Sequence, residues 1–306
     1  MSNPSASRPA LGTAEFVLFA TVVFVWGTSW LPLRWQLGVV APEVSGVWRF
    51  GLACAIMFAW LVVGGHRIRF GLADHARFVV LGALLFSFNF LCAYYGGFYL
   101  TSGLLAVVFS LAAVINPLYA AALWRTRPEA TVLAGAALGV IGVALLFGPE
   151  ILAAGASRDT AIGLAFVLSA TLFFCTGNMV SAVYQRRGIS VLSASAWGMF
   201  YGTLWFALFA VLQGKPFIVE WSARYLLSIL WLSIPSTVIA FAAYLTLLGR
   251  IGAGRAAYST VLVPVVALVL STFFENYIWT LAALVGVAFV LAGNVIVLSS
   301  GQRTRA

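Results

Sequence analysis

The stretch Leu248–Pro264, LGRIGAGRAAYSTVLVP, stands where one long apolar segment ends and another begins, with almost no loop between them. Shifted back by 151 positions it falls on Gly97–Ala113, GFYLTSGLLAVVFSLAA, with Gly254 on Gly103, Ala257 on Ala106 and Leu262 on Leu111. The same ungapped shift places Phe241 on Phe90 upstream. Downstream it places Leu284, Gly286, Ala288 and Gly293 on Leu133, Gly135, Ala137 and Gly142. Chance matches scatter over many offsets, whereas these share one. The chain therefore reads as one module written twice, a pattern of transporter architecture.

Composition narrows the class. The 306 residues are 63% hydrophobic and only 8% charged, with a mean hydropathy of +1.04. A soluble chain carries about 25% charged residues, so the apolar runs must meet lipid. At roughly 20 residues each, without period-two alternation, they read as helices and not as barrel strands. The net charge of +9 is spread singly and in pairs over short loops, which excludes a nucleic-acid patch and fits a topology signal. Cys54, Cys92 and Cys175 lie inside apolar runs and read as packing residues, with no metal-ligand spacing. No cofactor is expected.

Ten spans are predicted at roughly 14–36, 45–63, 76–98, 101–123, 130–148, 160–184, 191–212, 224–247, 254–273 and 279–299. Residues 1–13 and 300–306 are tails, and 149–159, with Pro149, Gly155 and Asp159, is the linker between a first repeat (14–148) and a second (160–299). With the N-terminus inside, twelve of the seventeen Lys and Arg face the cytoplasm and five face outward. Both termini are then cytoplasmic. Five spans per half is an odd number, so the halves must be inverted relative to each other. The expected fold is an all-α, multi-pass membrane protein, two inverted five-helix repeats around a central cavity.

These residues resemble the drug/metabolite transporter superfamily, in its EamA-type branch. The likeness rests on Trp26-Gly27, on Pro42, Trp48-Arg49-Phe50 and Ala53, and on the Thr101-Ser102-Gly103 and Gly252-Ala253-Gly254 hairpins. Pro264 and the terminal-helix glycines complete it. Within the branch, residues 102–123 look most like the bacterial aromatic amino acid exporters of the YddG type. The resemblance implies a bacterial inner-membrane carrier whose partners are a small-molecule substrate and the lipid bilayer. One departure stands out. Pro264 matches Ala113, and the first half has its proline one turn later, at Pro117, so the halves should bend at different depths.

Catalysis has little to work with. The two histidines, His66 and His75, lie in an Arg-rich loop, and no zinc-helix motif or nucleophile elbow appears. The eight acidic residues fall at span ends or in loops, which does not support carboxylate-mediated proton coupling and favours facilitated diffusion. Arg49 reads either as snorkelling to the outer interface or as attracting anions at the outer mouth; Arg34 reads in the same two ways. An integral membrane enzyme is the different-class alternative.

What remains are intramembrane polar and aromatic groups. Asn89, Asn116 and Asn178 each need partners in lipid, either neighbouring helices or substrate. Trp26, Trp30, Tyr94, Tyr95, Tyr99, Tyr244 and Tyr258 should face the interior, because a tyrosine hydroxyl in lipid is costly unless bonded. The expected substrate site takes Trp26, Trp30, Asn89 and Tyr94 from the first half and Asn178, Tyr244 and Tyr258 from the second. Trp30, Tyr94 and Tyr258 would form the apolar side, Asn89 and Asn178 the polar side. Packing of helices is the competing reading for all of them. Gly103, Gly252 and Gly254 are expected hinges for alternating access. Export of small amphipathic metabolites, aromatic amino acids first, is the expected function; a broader drug, amino acid or purine carrier is the alternative.

Overall fold

The computed structural model describes residues 12–152, 157–251 and 258–300. Among these the regular structure is entirely helical. The helices are α1 (Thr13–Trp35), α2 (Pro42–Val63), α3 (Leu72–Gly96), α4 (Ser102–Leu123) and α5 (Ala130–Leu152). They continue with α6 (Ser157–Arg186), α7 (Val191–Leu212), α8 (from Ala223 to Ile251), α9 (Tyr258–Phe274) and α10 (Leu281–Ser300). Nine of them contain a span long and apolar enough to cross a bilayer; α9 is equally apolar but has 17 residues.

Local chemistry sets the ends. Pro42 starts α2 at the first helical position, where its missing N–H costs nothing. The Ser190 and Ser222 hydroxyls accept the Ser193 and Tyr225 N–H groups at the starts of α7 and α8. Gly188 and Gly214 leave α6 and α7 with φ of +77° and +63°, a turn that a Cβ resists. Much apolar surface faces outward, including Val63, Phe273 and Leu281. In water such a belt would be unstable; in lipid it is the solvated face.

Two features recur at the shift of 151. α3 is interrupted by a π-helical segment, Gly82–Phe88, and α8 by another, Leu232–Ile239; shifted, Gly82 meets Ser233 and Phe88 meets Ile239. Pro235 accounts for the second, since it removes a backbone donor. The first contains no proline. The packing recurs as well. α1 lies on α9 as α6 lies on α4, and α1 on α8 as α6 on α3. α5 lies along α10 and α2 along α7, each against its own shifted counterpart.

Differences from the sequence reading are local. α5 continues through Pro149 to Leu152 and α6 begins at Ser157, so the expected linker 149–159 is helical at both ends, and 153–156 lie outside the described residues. α4 breaks at Ser110–Leu111, where the Leu111 and Ala113 N–H groups bond three residues back. That is one to two turns before Pro117, where a proline kink belongs. α9 runs unbroken across Pro264. The two helices thus differ, but the break of the first lies ahead of its proline and the second is continuous through its own.

Candidate functional site

α1 carries two indoles one turn apart, and each reaches a different neighbour. Trp26 lies 5.3 Å, centroid to centroid, from the Tyr244 ring on α8, and its Nε1 donates to the Ser236 carbonyl at 3.1 Å. That carbonyl belongs to the π segment, whose widened turn leaves backbone oxygens open to outside donors. Trp30 lies 5.2 Å from Phe109, which lies 4.9 Å from Phe174 on α6. One turn beyond Phe174, Asn178 Nδ2 points at Asn116 Oδ1 on α4, 3.4 Å away, too long for a strong bond. All seven side chains are half-buried. Partly exposed rings and amides set side by side are the chemistry that a small amphipathic ligand's site requires.

Tyr94 and Asn89 are placed differently. Tyr94 is completely enclosed; it donates to Gln36 Oε1 at the end of α1, and its ring belongs to the largest buried cluster, against which Trp30 packs. Asn89, 1% exposed, follows the π segment of α3, and its Oδ1 accepts the Phe90 N–H at 2.7 Å. One of its acceptors therefore serves the backbone. The structure brings Trp26 to Tyr244 and sets Trp30 beside the Tyr94 cluster, while Asn89 bonds the Phe90 N–H and Asn178 pairs with Asn116. The Tyr258 side chain, Gly252 and Gly254 lie outside the described residues.

Gly103 is a point of close approach. A Cβ there would meet the Leu268 Cα at 2.9 Å, so this glycine lets α4 sit against α9. Tyr99 was expected inside and is 41% exposed. It closes the α3–α4 turn, where its N–H bonds the Gly96 carbonyl, and its ring stacks on Phe166.

The charged residues correct the sequence reading. Arg49 does not snorkel: it is 3% exposed, two turns into α2, with its guanidinium 4.4 Å from the Phe90 ring and 4.8 Å from that of Phe50. Glu43, near the start of α2, is wholly buried, accepting from the Tyr95 hydroxyl at 2.5 Å and Gln213 Nε2 at 3.2 Å. Two charged groups are thus buried within the protein, although Glu43 lies in the first turn of α2, at a span end as the sequence indicated. Arg34 is ion-paired with Glu275, which also accepts the Ser102 N–H at 2.9 Å and the Ser102 hydroxyl at 2.5 Å. Sequence reasoning also passed over Asn294 of α10, 1% exposed, whose amide donates to the Ser110 hydroxyl at the break of α4. Its signal was present: an amide inside LAGNVIV must find a partner.

The fold and its half-open lining define a helical membrane carrier. The EamA-like transporter family model matches the chain twice, over residues 13–148 and 161–299. The chain belongs to that family and is a multi-pass membrane transporter. It is 25% identical over 295 residues to an "uncharacterized transporter" of Archaeoglobus fulgidus, covering 93% of this chain and 98% of that one. It is 26% identical over 289 residues to a "probable amino-acid metabolite efflux pump" of Salmonella typhimurium, with coverage of 89% and 90%. The protein of the same description from Escherichia coli is 23% identical over 286 residues, with coverage of 90% and 92%. A solved crystal structure superposes with a TM-score of 0.67 at 16% identity, covering 97% of this chain and 100% of that one; this likeness speaks to the fold alone.

Proposed function

We propose that this protein exports aromatic amino acids and closely related amphipathic metabolites across the bacterial inner membrane by alternating access. The observation that carries the substrate class is the half-buried run Trp30–Phe109–Phe174 ending at the Asn116–Asn178 pair. It offers ring faces at one end and amide donors and acceptors at the other, which an amino acid with an aromatic side chain requires. The resemblance of residues 102–123 to the YddG type and the efflux-pump descriptions of the Salmonella and Escherichia relatives support the same reading.

The mechanism rests on two inverted repeats, 14–148 and 160–299, with both termini cytoplasmic. Three observations support the repetition of the halves: the paired π segments, the matched helix contacts and the two family-model matches; the orientation rests on the distribution of Lys and Arg. Rocking of equivalent helices would open one end of the bundle while closing the other. Gly103, Gly252 and Gly254 would act at the hairpins. The residues we assign to substrate are Trp26, Trp30, Asn89, Tyr94, Asn178, Tyr244 and Tyr258. No catalytic role is assigned, and no cofactor.

Purified protein in liposomes tests the proposal. Labelled phenylalanine or tryptophan should enter faster than into protein-free vesicles. Flux of a purine or a drug-like solute with none of an aromatic amino acid would replace the substrate and leave the carrier. No flux of any solute would remove the transport reading of this site.

A further inference from the structure

Arg49 carries a charge that nothing in the described residues neutralises. It is 3% exposed, and both Nε and Nη1 are enclosed without a hydrogen-bond partner. Glu43 lies on the same helix, but six residues at 100° each turn it to another face. Its Oε1 takes bonds from Tyr95 and Gln213, and its Oε2 is enclosed without a partner. Glu275 is engaged by Arg34 and Ser102. What faces the guanidinium is the Phe90 and Phe50 rings and the Tyr94 hydroxyl, and cation–π contacts do not replace the bonds a buried cation loses on leaving water.

A second observation points to the same place. The Tyr94 hydroxyl borders the Arg49 guanidinium and donates to Gln36 Oε1. Gln36 is 1% exposed, and its Nε2 has no partner. The unanswered atoms nearest Tyr94, on Arg49 and Gln36, are donors, while the one unpaired acceptor on α2, Glu43 Oε2, is turned away from Arg49 around the helix. Buried donors left unpaired are costly, and a single acceptor with several lone pairs answers them together. A carboxylate is that acceptor, and a guanidinium fork is its usual partner.

We propose that Arg49, with Gln36, forms the docking site for the carboxylate of the transported solute. The inference rests on the amino-acid reading above and extends it: the substrate must carry a free carboxylate.

Full-length protein in detergent is titrated with phenylalanine, 3-phenylpropionate and phenylalaninamide, reading thermal stabilisation. Both carboxylates should stabilise, and the amide should bind at least about tenfold more weakly. Arg49→Gln should weaken the carboxylates by about 10- to 100-fold and erase their advantage over the amide. Arg49→Lys should fall between, since it keeps the charge without the fork. If Arg49→Gln does not fold, Gln36→Leu leaves the guanidinium in place and should weaken the carboxylates severalfold. A merely structural Arg49 would lower the melting temperature without ligand and leave the carboxylate-to-amide ratio unchanged, which overturns the proposal. Equal binding of phenylalanine and its amide overturns it too, as does failure of every carboxylate to bind. In that last case flux of a neutral or cationic solute into liposomes keeps the carrier reading and discards only the anion site.

Discussion

Gly142 and Gly286 meet backbone to backbone: a Cβ built on either would lie 2.6 Å from the other's carbonyl oxygen. Gly135 and Gly293 repeat the arrangement at 2.7 Å in both directions. The shift of 151 exchanges Gly135 with Gly286 and Gly142 with Gly293, so each contact maps onto the other. The two contacts are therefore equivalent under the repeat. Because the obstructing atoms are backbone, they cannot swing aside. Gly142→Val or Gly286→Val should destabilise the protein by about 1–3 kcal/mol, read as an earlier melting transition in detergent. Gly51→Ala is the control. Its nearest obstacle is Thr203 Cγ2 at 3.8 Å, so its melting should match wild type.

The Arg34–Glu275 pair joins the end of α1 to the end of α9, while Glu275 also caps the start of α4 through Ser102. Glu275→Gln keeps the shape and removes the charge. We expect a loss of about 1–2 kcal/mol, between the values for exposed and fully buried pairs, because Arg34 is still 29% exposed. A double-mutant cycle with Arg34→Gln measures it. Coupling near zero would assign the stability of this corner to the Ser102 bonds alone.

Trp26 makes two separable contacts, a ring on Tyr244 and an indole N–H on Ser236. Trp26→Phe keeps a ring and loses the bond, so it should cost about 1 kcal/mol. Trp26→Ala loses both and should slow transport further. Equal transport defects in the two variants would show that the hydrogen bond, not the ring, is what matters.

Asn178 separates a ligand role from a packing role. Its bond to Asn116 is long and its side chain is half-open. Asn178→Ala should therefore change thermostability by less than about 1 kcal/mol while weakening phenylalanine binding about tenfold. Asn294→Ala, which breaks an enclosed bond to Ser110, should do the reverse.

Much of the bundle was legible because lipid imposes length. A run of about 20 apolar residues announces a span wherever it occurs, and the 151-residue shift aligned the halves before any geometry was known. What lay hidden was which way each helix faces. In a span apolar on all sides, periodicity does not distinguish lipid from interior, so Arg49 and Glu43 near the start of α2 read as interfacial although both are enclosed. The π segments were half visible: Pro235 marks one, while GALLFSF carries no mark. Trp26, Trp30 and Tyr244 could be chosen because an aromatic polar group in a span needs a partner. Phe109 and Phe174 could not, since phenylalanine is at home in lipid.

Counterflow tests the central claim most directly. Liposomes carrying the protein are loaded with unlabelled phenylalanine and diluted into a trace of labelled phenylalanine outside. A carrier that alternates exchanges one molecule for another, so label should accumulate inside above its equilibrium level and then decay. A monotonic rise to equilibrium, identical with and without the internal load, would contradict alternating access by this protein.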